Sequence, residues 1–254
     1  MTSSSWVSSR LPGRSQADGG YRATPGFIEC AFWRAYAVVY DGLLELTEYQ
    51  RLVGQVTATA DVRPGHSVVE VGCGTGNVLV SLARRGPAAL TGIDSSPAML
   101  VRARRKVRTD VHLVEGDLIV ELGKWPAGSI DRLVAINVLY AVSNRSSFWA
   151  EAERVLAPDG FVIATQCDRP GSWPLAREQY AARGWRGLLH PRLLAVAMFD
   201  LTIDGFARNA RFQFCSFETL AQEAAEAGLG AADYLGRCYG GAESGVNVLG
   251  RFRK

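Results

Sequence analysis

The sequence is poor in the residues that most often carry metal and redox chemistry. It has three histidines, and its five cysteines stand apart at 30, 73, 167, 215 and 238 without a CxxC pair. That spacing excludes the common zinc frameworks, so no metal is expected. An odd number of separated thiols fits a reducing compartment better than a disulfide scaffold. An excess of one charge is also missing, since 28 basic residues face 25 acidic ones for a formal net charge of +3. A nucleic-acid binder would present a dense basic face, and no nucleic-acid partner is expected. No apolar run approaches the ~18 residues of a membrane span. The stretch MTSSSWVSSRLPGRSQADGG has no apolar core of a signal peptide. Residues 1–20 are therefore expected to be a disordered leader and the protein to be cytoplasmic.

What is present suffices for one large domain, because 48% of the 254 residues are hydrophobic. Apolar runs at Val68–Val71, 88–94, 111–117, 129–137 and in FVIATQ read as strands. Between them lie helical stretches: Asn77 to Arg85, one opening at Ser96 and Pro97, and SSFWAEAERVLAPDG, closed by Pro158 and Gly160. Ser96 suits an N-cap and Pro97 the first helical position. Such alternation predicts a parallel sheet with right-handed crossovers. The tail breaks the rule: AADYLGRCY, GGAES and GVNVLGRF leave no room for a crossover, so the last strand should run antiparallel.

The expected fold is thus α/β, a Rossmann-like doubly wound seven-stranded sheet with an antiparallel last strand. Two additions are expected on a main domain that starts at the RPG turn (63–65). Residues 21–62, with Phe27, Phe32, Trp33, Tyr36 and Tyr40, read as an N-terminal helical lid. Residues 167–213, with Trp173, Tyr180, Trp185, Met198, Phe199 and Phe206, read as an insertion after strand five. It would cover the C-terminal edge of the sheet, where ligands bind in such folds.

The stretch VVEVGCGTGN (68–77) carries the strongest chemical signal. A buried strand that runs through three glycines into a helix lets a ligand approach the backbone and meet free N–H groups. A dinucleotide fingerprint requires GxGxxG, whereas the spacing here is G-x-G-x-G, with Asn77 in place of the last glycine. Glu70, two residues before Gly72, would repel a pyrophosphate but suits a ligand bearing an ammonium group. VVEVGCGTGN resembles motif I of the class I S-adenosylmethionine-dependent methyltransferases. TGIDSSPAMLVRARRK resembles their second motif and VHLVEGDL their adenine-binding strand end. SIDRLVAINVLYAV resembles the fourth motif, and EAERVLAPDGFVIAT the helix and strand that follow it. These five pieces stand in order over about residues 65–166.

The resemblance implies S-adenosylmethionine as cofactor. It implies that Glu70 and the loop of Gly72, Cys73, Gly74 and Gly76 hold the methionine portion. Asp94, with Ser95 beside it, would take the ribose hydroxyls. Asp117 would face the adenine amino group, the Leu118 backbone another ring nitrogen, and Met99 the adenine face. Asn137 would meet the amino-acid part. Met99 also reads as plain core on an amphipathic helix, and Asp117 as a helix cap.

Methyl transfer needs alignment and dryness more than a fixed set of catalytic groups. The expected activity is transfer to a small, apolar or aromatic acceptor at oxygen, nitrogen or carbon. The [DNS]-P-P-[FYW] motif of base-modifying relatives is absent at NVLYAV, and VRARRKVR (101–108) reads as a solvated helix face. His190 in GLLHPRLL is a candidate base, and Tyr21, Tyr36 and Tyr40 are candidates to orient the acceptor. His66 and His112 lie at the wrong ends of their strands. The sequence is compatible with a homodimer. The alternative reading is a protein that binds S-adenosylmethionine without transferring methyl: a cyclase, a regulator or a binding module.

Overall fold

In the computed structural model the described residues are 27–168, 177, 180–181, 184–185, 191–208, 212–238 and 245–254. The apolar runs form strands β1 (Ser67–Val71), β2 (Ala89–Asp94), β3 (His112–Glu115), β4 (Ile130–Ile136) and β5 (Leu156–Cys167), followed by β6 (Ala231–Cys238) and β7 (Asn247–Arg253). The sheet order is β3-β2-β1-β4-β5-β7-β6. The first five strands are mutually parallel, and β7 runs antiparallel to both β5 and β6. The short tail therefore makes the reversed hairpin expected of it.

The helices are α1 (Phe27–Tyr36), α2 (Thr47–Thr59), α3 (Asn77–Ala83), α4 (Pro97–Ala103), α5 (Leu118–Leu122), α6 (Arg145–Val155), α7 (Pro191–Arg208) and α8 (Phe217–Glu226), with a 3-10 turn at Tyr40–Glu45. Side chains alternate across each strand, so the sheet builds two cores. One face packs Val68, Val134 and Ile163 against Leu52 and Val56 of α2 and Leu79 and Leu82 of α3. The other packs Val69, Leu133 and Val162 against Phe148 and Trp149 of α6 and Leu220 of α8. The indole N–H of Trp149 donates to Glu223 Oε2 at 3.2 Å, so its one polar atom is satisfied in the core.

Two local features differ from the sequence reading. The helix over SSFWAEAERV ends at Val155 rather than running to Gly160, and Leu156 instead pairs with Ile130 of β4. A residue before proline is driven from helical backbone, so Pro158 bars the helix from Ala157, and β5 gains the residues the helix loses. Segment 21–62 is not uniform either. Leu52 and Val56 of α2 have no exposed surface and belong to the sheet's core, whereas α1 and the 3-10 turn lie between α4 and α7. Among the described residues no helix is long and apolar enough to cross a membrane. The leader, residues 1–20, lies outside the described residues.

Candidate active site

The site begins where β1 ends. Gly72, Gly74 and Gly76 all have left-handed backbone, with φ of 65°, 54° and 79°. Only glycine adopts this without strain, which is why the turn is built from it. Gly72 is also needed for space, since a Cβ there would lie 2.4 Å from Val138 Cγ2. Cys73 is buried, and its N–H donates to Ile93 O at 3.0 Å, tying the loop to β2.

Asp94 closes β2 beneath this loop. Its Oδ2 accepts from the Gly74 N–H at 2.7 Å and its Oδ1 from the Ser96 N–H at 2.8 Å. Burial pushes its carboxyl up to about 6, against the pull of those two N–H groups. Ser96 does occupy the N-cap position of α4, with Pro97 following, but its hydroxyl makes no capping bond. Ser95 is exposed beside them.

Glu70 lies buried in β1. Burial drives its carboxyl well above the usual carboxylate range, nearby Asp94 pushes the same way, and the Leu79 N–H in the first turn of α3 pulls it back. Its Oε2 has no hydrogen-bond partner among the described residues. A buried, unpartnered acid oxygen is costly to leave unpaired, and a ligand ammonium would satisfy it. The orphaned Glu70 oxygen, the left-handed glycines and the Asp94 carboxylate together fit the amino-acid and ribose ends of S-adenosylmethionine.

Other expected contacts are altered in detail. Asp117 is the N-cap of α5, where its Oδ1 accepts from the Ile119 and Val120 N–H groups at 2.9 and 3.1 Å. Leu118 opens that helix. Met99 is buried in one cluster with Phe32, Tyr36 and Ala37. The Asn137 side chain is turned into the sheet: its Oδ1 accepts from Thr165 Oγ1 at 2.7 Å and from Asn247 Nδ2. Its backbone is left-handed at φ 52°, an unusual state for a non-glycine and frequent at functional sites.

Above the loop lie aromatic rings. Tyr40 sits on Gly74, whose Cβ position is 3.7 Å from the phenol ring. Tyr36 follows, its ring centroid 5.1 Å from that of Tyr40, and stacks on Phe199 of α7 at 4.8 Å. The Tyr36 hydroxyl donates to Asp200 Oδ1 at 3.0 Å. Burial pushes Asp200 up to about 7, with buried Asp204 adding to the rise and Tyr36 opposing it. Burial pushes the Tyr140 hydroxyl and the Cys167 thiol up, and the charge of Asp200 adds to both rises. Tyr21 and His190 lie outside the described residues.

Sequence reading missed Asp200 and Lys106. Asp200 has no motif around it. Lys106 belongs to the basic run that reads as a solvated face, but its side chain is 25% exposed and its Nζ bonds Asp41, Thr75 and Asn77.

Comparison with known proteins bears on the domain and its fold. Residues 69–164 match the methyltransferase domain family. Demethylmenaquinone methyltransferase of Tropheryma whipplei (strain Twist) is 37% identical over 113 residues, 43% of this chain and 45% of that protein. The chain thus spans about half the length of the curated relatives it matches. An S-adenosylmethionine-dependent methyltransferase from Mesorhizobium loti superposes with a TM-score of 0.56 at 19% identity, over 79% of this chain and 96% of that one. The [4+2]-cyclase SpnF superposes with a TM-score of 0.60 at 15% identity, over 89% and 94%. At such identities the superpositions show the fold. Residues 69–164 therefore match a methyltransferase domain, and the fold is the one seen in S-adenosylmethionine-dependent methyltransferases.

Proposed function

We propose that the protein transfers a methyl group from S-adenosylmethionine to a small acceptor held between the glycine loop and the aromatic roof of α1 and α7. The observation that supports this most directly is the run from Gly74 through Tyr40 and Tyr36 to Asp200. It leads from the glycine loop to α7, and beyond Gly74 its members are aromatic or acidic. When bound, S-adenosylmethionine supplies a methyl group made electrophilic by the sulfonium. The chain's own residues align the acceptor, keep water out and take up a proton.

Asp200 is the group we assign to the proton. Its carboxyl is held at about 7, where both protonation states are populated near neutrality, and Tyr36 fixes its orientation. An acceptor without a titrating proton would need only the alignment. No disulfide joins the five cysteines, which suits work in a reducing cytoplasm.

The test is a search for product. Purified protein is incubated with methyl-labelled S-adenosylmethionine and fractions of a small-molecule extract. Label should move into a small molecule in step with S-adenosylhomocysteine release. Tight cofactor binding without label transfer from any fraction would favour a protein that binds S-adenosylmethionine for another purpose.

A further inference from the structure

We propose that Lys106 is a positioning residue for the cofactor: with Asp41 it latches the turn that carries Tyr40 over the glycine loop, and the latch sets how long the cofactor stays. This rests on the reading of that loop as the S-adenosylmethionine site. An ammonium has three N–H donors, and here each is matched. Lys106 Nζ donates to Asp41 Oδ1 at 2.6 Å, to Thr75 Oγ1 at 2.8 Å and to Asn77 Oδ1 at 2.6 Å. The Thr75 hydroxyl spends its own proton on Asp41 Oδ1 at 2.6 Å, leaving a lone pair for Lys106. With its oxygen on Lys106, Asn77 turns its Nδ2 to the Tyr49 hydroxyl at 3.3 Å.

The partners come from different segments. Asp41 belongs to the 3-10 turn next to Tyr40, Thr75 to the glycine loop and Asn77 to the start of α3. The inner side of the loop is already held by Asp94 and by the bond from Cys73 to Ile93. The Lys106 hub holds the outer side, towards the Tyr40 ring. A ligand that follows the loop backbone at Gly74 meets that ring, so the turn must lift for the ligand to enter or leave. Lifting it breaks the bonds of Asp41 to Lys106 and Thr75. The pair is partly exposed, with side chains 25% and 35% accessible, so it can open without the cost of a fully buried pair.

The experiment is stopped-flow release of S-adenosylhomocysteine from the wild type, K106Q, D41N and the double variant, after thermal unfolding has shown each to be folded. V155A, on the opposite face of the sheet, controls for general destabilisation. K106Q and D41N should each release the ligand about 10-fold faster and take it up faster as well, because a weaker latch eases opening of the turn in both directions. The double variant should be no faster than the quicker single one, since both break the same contact. Salt should speed release from the wild type and not from K106Q. V155A should release at the wild-type rate. Wild-type release by K106Q, additive effects of the two substitutions, or equal acceleration by V155A overturns the latch. If K106Q does not fold, D41N and the wild-type salt dependence decide alone. Failure of the wild type to bind S-adenosylhomocysteine is a separate outcome that overturns the reading of the site, and the latch with it.

Discussion

Glu70 and Asp94 sit beside the glycine loop at a cost, since burial raises both carboxyls above their usual range. A ligand ammonium near Glu70 and hydroxyl donors at Asp94 favour the charged forms and lower both values. Binding should therefore release protons. Titration of S-adenosylhomocysteine near pH 6, in buffers of different ionisation enthalpy, should show net release that shrinks in E70Q; net uptake would contradict the placement of the ammonium. Asp94→Ala should weaken binding by about 2–3 kcal/mol, because charged acceptor bonds to the ligand and to the Gly74 amide go together. Asp200 is raised in the same direction, and its rise bears on folding stability. Its carboxyl rises from 3.8 to about 7 on folding, so its protonated form stabilises the protein fully below about pH 4 and that stability is lost as pH rises through 7. Asp200→Asn should melt higher than the wild type above pH 7 and match it near pH 4. Its turnover should fall by ~10²-fold and lose the limb that rises near neutrality. An unchanged pH–rate profile would return the search to alignment alone. None of this was legible at residue 200, whose neighbours FDLTID form no motif, whereas Glu70 and Asp94 stand within motifs that carry the family resemblance.

Elements were readable where one rule of chain geometry acts alone. The strands follow from short continuous apolar runs bounded by turn residues, and the reversed tail from a connection too short to cross over. The end of α6 was misplaced because two signals competed: Pro158 and Gly160 do stop a helix, but pairing of Leu156 with Ile130 stops it earlier. Asp117 and Met99 also carry two readings inside the site. A strand-end acid can face a ligand and cap the next helix at once, and the Oδ1 of Asp117 caps α5; a helix-borne methionine reads as core or as ligand contact, and Met99 is buried beside Phe32 and Tyr36. Lys106 was hidden because a run of basic residues on a helix usually faces water. The glycines separate by the same reasoning. Gly54 lies exposed within α2 with nothing within 4 Å of a Cβ, so Gly54→Ala should stabilise the protein by about 0.5–1 kcal/mol. Gly72→Ala meets both left-handed backbone and Val138. It should lower the melting temperature and abolish cofactor binding, and equal melting of the two variants would refute the distinction.

At the scale of the molecule, the sheet is a fixed platform and the regions added to it meet one another over its edge. Phe32 of α1 lies edge-on to Phe199 and Phe206 of α7, with ring centroids 5.5 and 5.3 Å apart, and Tyr36 stacks on Phe199. Two segments more than 150 residues apart in sequence therefore share one aromatic cluster, which sequence alone could place above the sheet but not join. Because their contacts are with each other, α1 and α7 should open as one unit rather than as two flaps. Hydrogen exchange read by mass spectrometry should show residues 27–45 and 191–208 exchanging at a common rate. Both should slow together when cofactor and acceptor are bound. Phe32→Ala removes the ring that touches both aromatics of α7, so it should speed exchange across 191–208 as well as across α1, while the β4 and β5 amides stay protected. If the substitution loosens α1 and leaves α7 unchanged, the two helices move independently, and the acceptor is then enclosed by α7 and the sheet edge without help from the lid.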